Sequence, residues 1–595
     1  MEDYRRRAEH FLTAETQFHL GMMPTEQPHP GTRGLAEILQ QDAAAGIRML
    51  QAVDWDVAAR ARQVLASDEF EALVGALTEA LVGGRRVCFS GCGATGRLSI
   101  MLEAIWRNFW LDMAEQQPEA AELAATIGDR VISIMTGGDY ALIRSVEGFE
   151  DYISFGRRQV LEADLRPGDV LVAISEGGET SSVIGTLLEA TERGLHCFFV
   201  FNNPAKVLAA HIERSRQVIE HPAVTVIDLA TGPMAVSGST RMQATTTELL
   251  VVGSALEQAL LRLMPRVLAR ETLAALPPEW LRPVDAAAQF EALLGDLSGP
   301  EAVETLAEWT RIEHELYAAG GRVTYYADEC LLDIFTDTTE RAPTFMLPPF
   351  RKSGDTISPP SWSFVKDPIR TTPEAWQKVL GRAPRCLDWQ PADYEALGAA
   401  EGIVADPPAL GCGELMRFLI GREADPSRTE VKPNAAIAVL LSPELRGPQA
   451  ARWQTAFTKA AGTYERQLAV VIGEEAAEVQ GAALTLHVPC RLGDSALGLW
   501  HRLAPKLALN TISTATMGVM GRLVSNWMVN VECSNKKLID RGTRLVAELT
   551  GLDYATACVE LHRTIAEQQA SARPGEARVS PVALTLQRLQ GEESR

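Results

Sequence analysis

Three short segments hold residue types suited to anion binding or proton transfer. The first runs Gly91-Cys92-Gly93-Ala94-Thr95-Gly96-Arg97. Glycines let a backbone approach a ligand closely, and a helix opening directly after such a turn offers unpaired N–H groups and the positive end of its dipole. Gly91, Gly93, Thr95, Gly96 and Arg97 are therefore candidates for holding a phosphate. Dinucleotide folds share this spacing, but they place an acid about 20 residues on, at the end of the next strand, and none is well placed for that here. The second segment is Ser175-Glu176-Gly177-Gly178-Glu179-Thr180, in which Ser175, Gly177, Gly178 and Thr180 would extend the cradle. Serine and threonine are also preferred helix caps, and the two roles are compatible. The third is the polar turn Gly238-Ser239-Thr240-Arg241-Met242, which supplies Ser239.

Each of these turns sits where a strand gives way to a helix. Strands are predicted at 87–90, 131–135, 169–174, 197–201 and 224–229, with helical periodicity between them. Strands alternating with helices imply a parallel sheet covered on both faces. The pattern then repeats. Gly320-Gly321-Arg322-Val323-Thr324-Tyr325-Tyr326 echoes Gly83-Gly84-Arg85-Arg86-Val87-Cys88-Phe89, further strands are expected at 435–441 and 468–472, and the helix at 507–520 resembles the one at 249–261. A long helix is predicted over 56–82, and the six prolines of 343–368 predict an irregular loop. The expected layout is an N-terminal helical segment (1–55), lobe 1 (56–270), a linker (271–300), lobe 2 (301–549) and a helical tail (550–595).

Bulk properties narrow the classes. A chain of 595 residues exceeds one hydrophobic core. A net charge of −21 makes it a poor candidate for wrapping nucleic acid or lying on an anionic membrane, though not for binding a small anion in a cleft. No apolar run is long enough to span a bilayer, and the polar start Met1-Glu2-Asp3-Tyr4-Arg5 does not read as a signal peptide. Nine scattered cysteines without a C-x-x-C pair point to reduced thiols in a cytoplasmic protein, with no metal site or cofactor expected. His314 lacks the second histidine of a metalloprotease helix and reads as structural.

Taken in order, these segments resemble the sugar isomerase (SIS) domain family, and within it the N-acetylmuramic acid 6-phosphate etherases and the glucokinase regulatory proteins. The resemblance rests on Thr25-Glu26 with Pro30, Gly91–Arg97, Gly137-Gly138-Asp139 leading to Val146-Glu147-Gly148-Phe149-Glu150-Asp151, Gly238–Met242, and Ser534-Asn535-Lys536-Lys537-Leu538. It implies an α/β fold of two SIS-type lobes, each a parallel sheet flanked by helices, with helical N- and C-terminal extensions. The tandem layout resembles the regulatory proteins more closely. Etherases use two glutamates. One matches Glu150, while the other falls on Ile105 of lobe 1, with Glu103 two residues off. Lobe 2, however, carries Thr339-Glu340-Arg341-Ala342-Pro343-Thr344-Phe345, which resembles the missing segment, and has Ala327-Asp328-Glu329-Cys330 where its own glycine loop should be. The resemblance thus implies one composite site per chain, with Glu150 and the glycine loops from lobe 1, and Glu340 and Lys537 from lobe 2.

Two carboxyl groups suit cleavage of a lactyl ether on a sugar 6-phosphate, one as base and one as acid. The alternative is a non-catalytic sensor of sugar phosphates that regulates a sugar kinase. An aldose–ketose isomerase is a third class, because one fold hosts several chemistries. Ala94, Gln243 and His29 depart from the family's usual Thr, Lys and Asn, which bears on the sugar's identity more than on phosphate binding.

Overall fold

The protein is described by a computed structural model covering residues 3–146, 148–571 and 579–593. Ten strands build two parallel sheets. The first contains β1 (Val87–Gly91), β2 (Val131–Met135), β3 (Val170–Ser175), β4 (His196–Phe201) and β5 (Val224–Asp228), in the order β2-β1-β3-β4-β5. The second contains β6 (Arg322–Tyr326), β7 (Ser363–Lys366), β8 (Asn434–Leu441), β9 (Arg466–Gly473) and β10 (Leu484–Pro489), in the order β10-β9-β8-β6-β7. Read from the other end, this is the same arrangement. β1, β2 and β3 are wholly buried and mostly apolar, as expected of strands covered on both faces. In such a sheet the order reverses between the first and third strands, and ligands bind in the crevice outside their carboxyl ends.

The helices that matter for the site are α1 (Ala43–Val64), α2 (Asp68–Val82), α3 (Ala94–Gln116), α4 (Ser181–Glu192), α5 (Gln243–Val267), α6 (Leu331–Phe345), α7 (Leu499–Val519) and α8 (Lys536–Thr550). α5 and α7 are buried along most of their length and pack against each other and against α1. One continuous hydrophobic cluster runs through both lobes, with a smaller cluster on the outer face of each sheet. Among the described residues no helix is long and apolar enough to cross a membrane.

Two expectations need correction. The helix predicted over 56–82 is two helices, because Ser67 accepts the Phe70 N–H at 3.2 Å and starts α2 afresh. The segment 343–368 is not one loop. Pro343 and Phe345 complete α6, and Ser363–Lys366 forms the edge strand β7 beside β6. An edge strand of four residues between prolines gives too short a pattern to stand out.

Ion pairs tie the lobes together. Glu103, the acid two residues from the etherase position, points away from the cleft. It accepts from Ser133 (N–H 2.9 Å, hydroxyl 2.7 Å), from Arg107 at 2.8 Å and from Arg382 of lobe 2 at 2.9 Å. Arg382 also pairs with Asp139 at 2.5 Å, and the Arg385 N–H donates to Asp139 at 2.6 Å. Burial alone would raise the Glu103 carboxyl, but Arg382, Arg385 and Arg107 bring it down to about 2.

Candidate functional site

β1 and β3 are neighbours, with Ser90 opposite Ala173, so the turns leaving them lie side by side. In the first turn, Gly91 packs so tightly that a Cβ would lie 2.4 Å from the Thr95 carbonyl carbon and oxygen. Only glycine fits there. Thr95 accepts the Cys92 N–H at 3.0 Å and donates to the Cys92 carbonyl at 2.8 Å, so its hydroxyl shapes the turn. α3 begins one residue after Gly93 with its first amides facing the crevice end of the sheet. The second turn is built alike. Ser175 accepts the Gly178 N–H at 3.1 Å and shares a 3.0 Å hydrogen bond with Thr180, while the Gly177 carbonyl accepts from Asn203 at 2.9 Å. The hydroxyls of Thr95, Ser175 and Thr180 thus hold the turns in shape.

Arg97, fully buried in the first turn of α3, donates to the carbonyls of Leu142 at 3.0 Å and Ala141 at 2.8 Å and ion-pairs with Glu340. Glu340 comes from lobe 2 and is 15% exposed. Its helix is fixed by a buried network immediately beside it. Asp337 accepts from Arg341 at 2.7 Å, Arg241 at 2.9 Å, Asn510 at 3.0 Å and Ser513 at 2.9 Å, and Arg341 reaches Glu313 at 3.2 Å. The Thr339 hydroxyl donates across the lobes to the Leu142 carbonyl at 3.1 Å. A cavity of about 30 Å³ lies beside Glu340, lined by Ala94, Arg241, Asp337 and Lys506 among others. Ser239 is buried on the turn before α5, its N–H donating to the Val236 carbonyl at 2.9 Å.

Glu150 lies on the single helical turn Phe149–Asp151 and accepts from the Asn535 side chain at 2.9 Å. Asn535 also caps α8, accepting the Leu538 N–H at 2.8 Å. The same cap therefore sets Lys537 in the first turn of α8, where its ammonium pairs with Glu179 at 2.7 Å. Burial alone would push the Lys537 ammonium down, but Glu179, Glu150 and Glu26 hold it above the ordinary lysine value. Burial, with Glu150 and Glu176 nearby, pushes the Cys92 thiol up. Glu150, Glu176 and Lys537 therefore lie near Cys92 of the first turn, and Glu340 meets Arg97 at the end of the same turn. The lobe 2 counterpart of that turn is filled by its own ion pairs, Asp328 with Arg370 at 2.8 Å and Glu329 with Lys378 at 3.2 Å.

Two contributors escaped the sequence reading. Glu26, from the N-terminal segment, braces α8 through Arg541 and Arg544, each at 2.7 Å. Burial opposes ionisation of its carboxyl, but Arg541 and Arg544 prevail and bring it down to about 2. The Thr25-Glu26 motif marked the segment, but its partners lie more than 500 positions away. Glu176, inside a turn read only for its glycines and hydroxyls, accepts from Thr240 at 3.3 Å. Burial, reinforced by Glu340 and Glu179 and opposed by Lys537, pushes its carboxyl up to about 7.

Residues 70–191 match the family model described as the glucokinase regulatory protein N-terminal SIS domain. The chain is 30% identical over 243 residues to an N-acetylmuramic acid 6-phosphate etherase of Thermobifida fusca, a match covering 40% of this chain and 68% of that protein. It is 27% identical over 245 residues to N-acetylmuramic acid 6-phosphate etherase 1 of Bacillus licheniformis, covering 41% of this chain and 71% of that protein. Among solved structures, the C-terminal domain of a glucosamine-fructose-6-phosphate aminotransferase from Francisella tularensis aligns with a TM-score of 0.42 at 11% identity, covering 80% of this chain and 96% of that one.

Proposed function

The chain belongs to the sugar isomerase domain family, in the group of the N-acetylmuramic acid 6-phosphate etherases, and on that premise we propose that it is a sugar-phosphate lyase acting at one composite cleft. The observation that carries this reading is the ion pair between Arg97 and Glu340. The acid that lobe 1 lacks at Ile105 arrives at the lobe 1 glycine turn from lobe 2. The phosphate is held by the α3 amides and by Lys537. In the open-chain sugar the aldehyde acidifies the proton on carbon 2. One of Glu150 and Glu340 removes it as carboxylate. The other, as carboxylic acid, protonates the ether oxygen as the bond from carbon 3 breaks, releasing lactate and leaving a 2,3-unsaturated aldehyde. Water then adds its hydroxyl to carbon 3 and a proton to carbon 2, giving N-acetylglucosamine 6-phosphate when the substrate is N-acetylmuramic acid 6-phosphate. Each proton transfer contributes roughly 10²–10⁴-fold in rate.

The test is lactate release from N-acetylmuramic acid 6-phosphate by the purified protein. Glu340→Gln is expected to lower turnover by at least ~10²-fold while sugar-phosphate binding persists. Absence of lactate, under conditions where a known etherase turns over, overturns the lyase reading. The match to the regulatory-protein model and the two lobes in one chain favour a second reading, a sugar-phosphate sensor that restrains a sugar kinase. Sugar-phosphate binding without lactate release, together with kinase inhibition that responds to the bound sugar, would select it.

A further inference from the structure

The mirror image of the cleft, on lobe 2, is open. A cavity of about 280 Å³ lies where the turn after β6 meets the middle of α3. That volume is close to the lower bound of about 300 Å³ for small-molecule sites. Ile105 lines it, at the position that Glu340 takes in the first cleft, so an apolar side chain stands in place of a carboxyl. The means to hold a phosphate are gone as well. Asp328 and Glu329 occupy the turn, and the Glu329 N–H, just before α6, already donates to the Glu444 carboxyl at 3.3 Å. The charges around the cavity cancel in pairs, Asp328 with Arg370, Glu329 with Lys378, and Arg502 with Asp333 at 2.7 Å. An entering anion would also meet Asp112, an exposed carboxylate on α3 that makes no salt bridge among the described residues.

What remains suits a neutral ring with a polar rim. Phe109 and the half-buried Trp280 lie 5.2 Å apart between ring centres, inclined at 56°, and form an apolar wall. Asn108 and His501 line the same space, and neither side chain makes a hydrogen bond among the described residues. Burial first, then Arg502, pushes the His501 imidazole down to about 4, so at neutral pH it offers one donor and one acceptor and no charge.

We propose that this cavity is a second ligand site, built for a monosaccharide without a phosphate group. The C–H face of a pyranose packs on Trp280 and Phe109, and its hydroxyls hydrogen-bond to Asn108, His501 and Asp112. A flat aromatic ligand would match the wall but leave those polar groups unpaired, which costs affinity. A sugar phosphate would bring a dianion to a turn that has acids in place of glycines. The inference is independent of the reaction carried out in the first cleft.

The experiment is saturation-transfer NMR of the full chain with glucose, N-acetylglucosamine and adenosine at pH 7, followed by titration of Trp280→Ala and Asn108→Ala. At least one of the two sugars is expected to bind the native protein, with adenosine weaker. Trp280→Ala should weaken the sugar at least about tenfold, and Asn108→Ala roughly three- to tenfold. Alanine is the better helix former at position 108, so the second variant folds even if the first does not. Binding of neither sugar, binding of adenosine in preference to both, or sugar binding that Asn108→Ala leaves unchanged overturns the proposal. Displacement of the sugar by glucose 6-phosphate would place it in the first cleft and overturn the proposal too.

Discussion

Replacing Glu26 by Gln tests whether the N-terminal segment positions the helix that carries Lys537. The carboxylate lies 2.7 Å from both Arg541 and Arg544 and is almost wholly buried. Its carboxyl titrates near 2 in the folded chain against an ordinary value of 4.5. That depression corresponds to about 3 kcal/mol of stability. A depressed carboxyl contributes fully above its unfolded value and loses its contribution as the pH falls toward the folded one. Glu26→Gln is thus expected to cost about 3 kcal/mol at pH 7, and somewhat more if the two guanidinium groups stay buried without an anion. For a cooperative unit of 595 residues, a per-residue unfolding entropy of about 2 cal/mol/K converts this into a fall in Tm of about 2–3 °C. The difference from the native protein should shrink by more than half between about pH 5 and pH 3, as Glu26 of the unfolded chain takes up a proton while the native carboxylate stays charged. The assay is thermal denaturation across that range, paired with sugar-phosphate titration at pH 7, where affinity should fall because Lys537 loses its setting. A variant within 1 °C of the native protein at pH 7, or a difference that does not change on acidification, would refute the reasoning.

Other outcomes follow from the same geometry. Gly91→Ala places a methyl 2.4 Å from the Thr95 carbonyl, so the turn must shift; a stability loss of about 1–3 kcal/mol in denaturant titration and at least tenfold weaker sugar-phosphate binding are expected. Glu103→Gln leaves Arg107, Arg382 and Arg385 facing a neutral group, and about 3–5 kcal/mol should be lost, read as a lower urea midpoint and faster proteolysis of 381–388. Glu103→Gln should leave sugar-phosphate affinity of the folded protein unchanged in titration, since Glu103 is engaged by Ser133, Arg107 and Arg382.

The strand–turn–helix units were legible in the chain because their causes are local. Short buried runs, glycines at a close approach and hydroxyls that brace a turn are settled within a few residues, so both glycine turns and the strands of lobe 1 stand where the local pattern puts them. Local pattern failed where a signal was brief, as at Ser67 and in the four residues of β7. The two candidate glutamates were paired through family resemblance, since nothing in the spacing of Glu150 and Glu340 brings them to one turn. What only the tertiary structure decided is the role of each buried charge. Glu26 meets Arg541 across 515 positions and Glu103 meets Arg382 across 279, and both become braces rather than chemistry. Glu176 looked like one polar residue among glycines until folding placed Glu340, Glu179 and Glu248 around it. An acid's function depends on its desolvation and its neighbours, and in this chain those neighbours come from segments that only the packed lobes bring together.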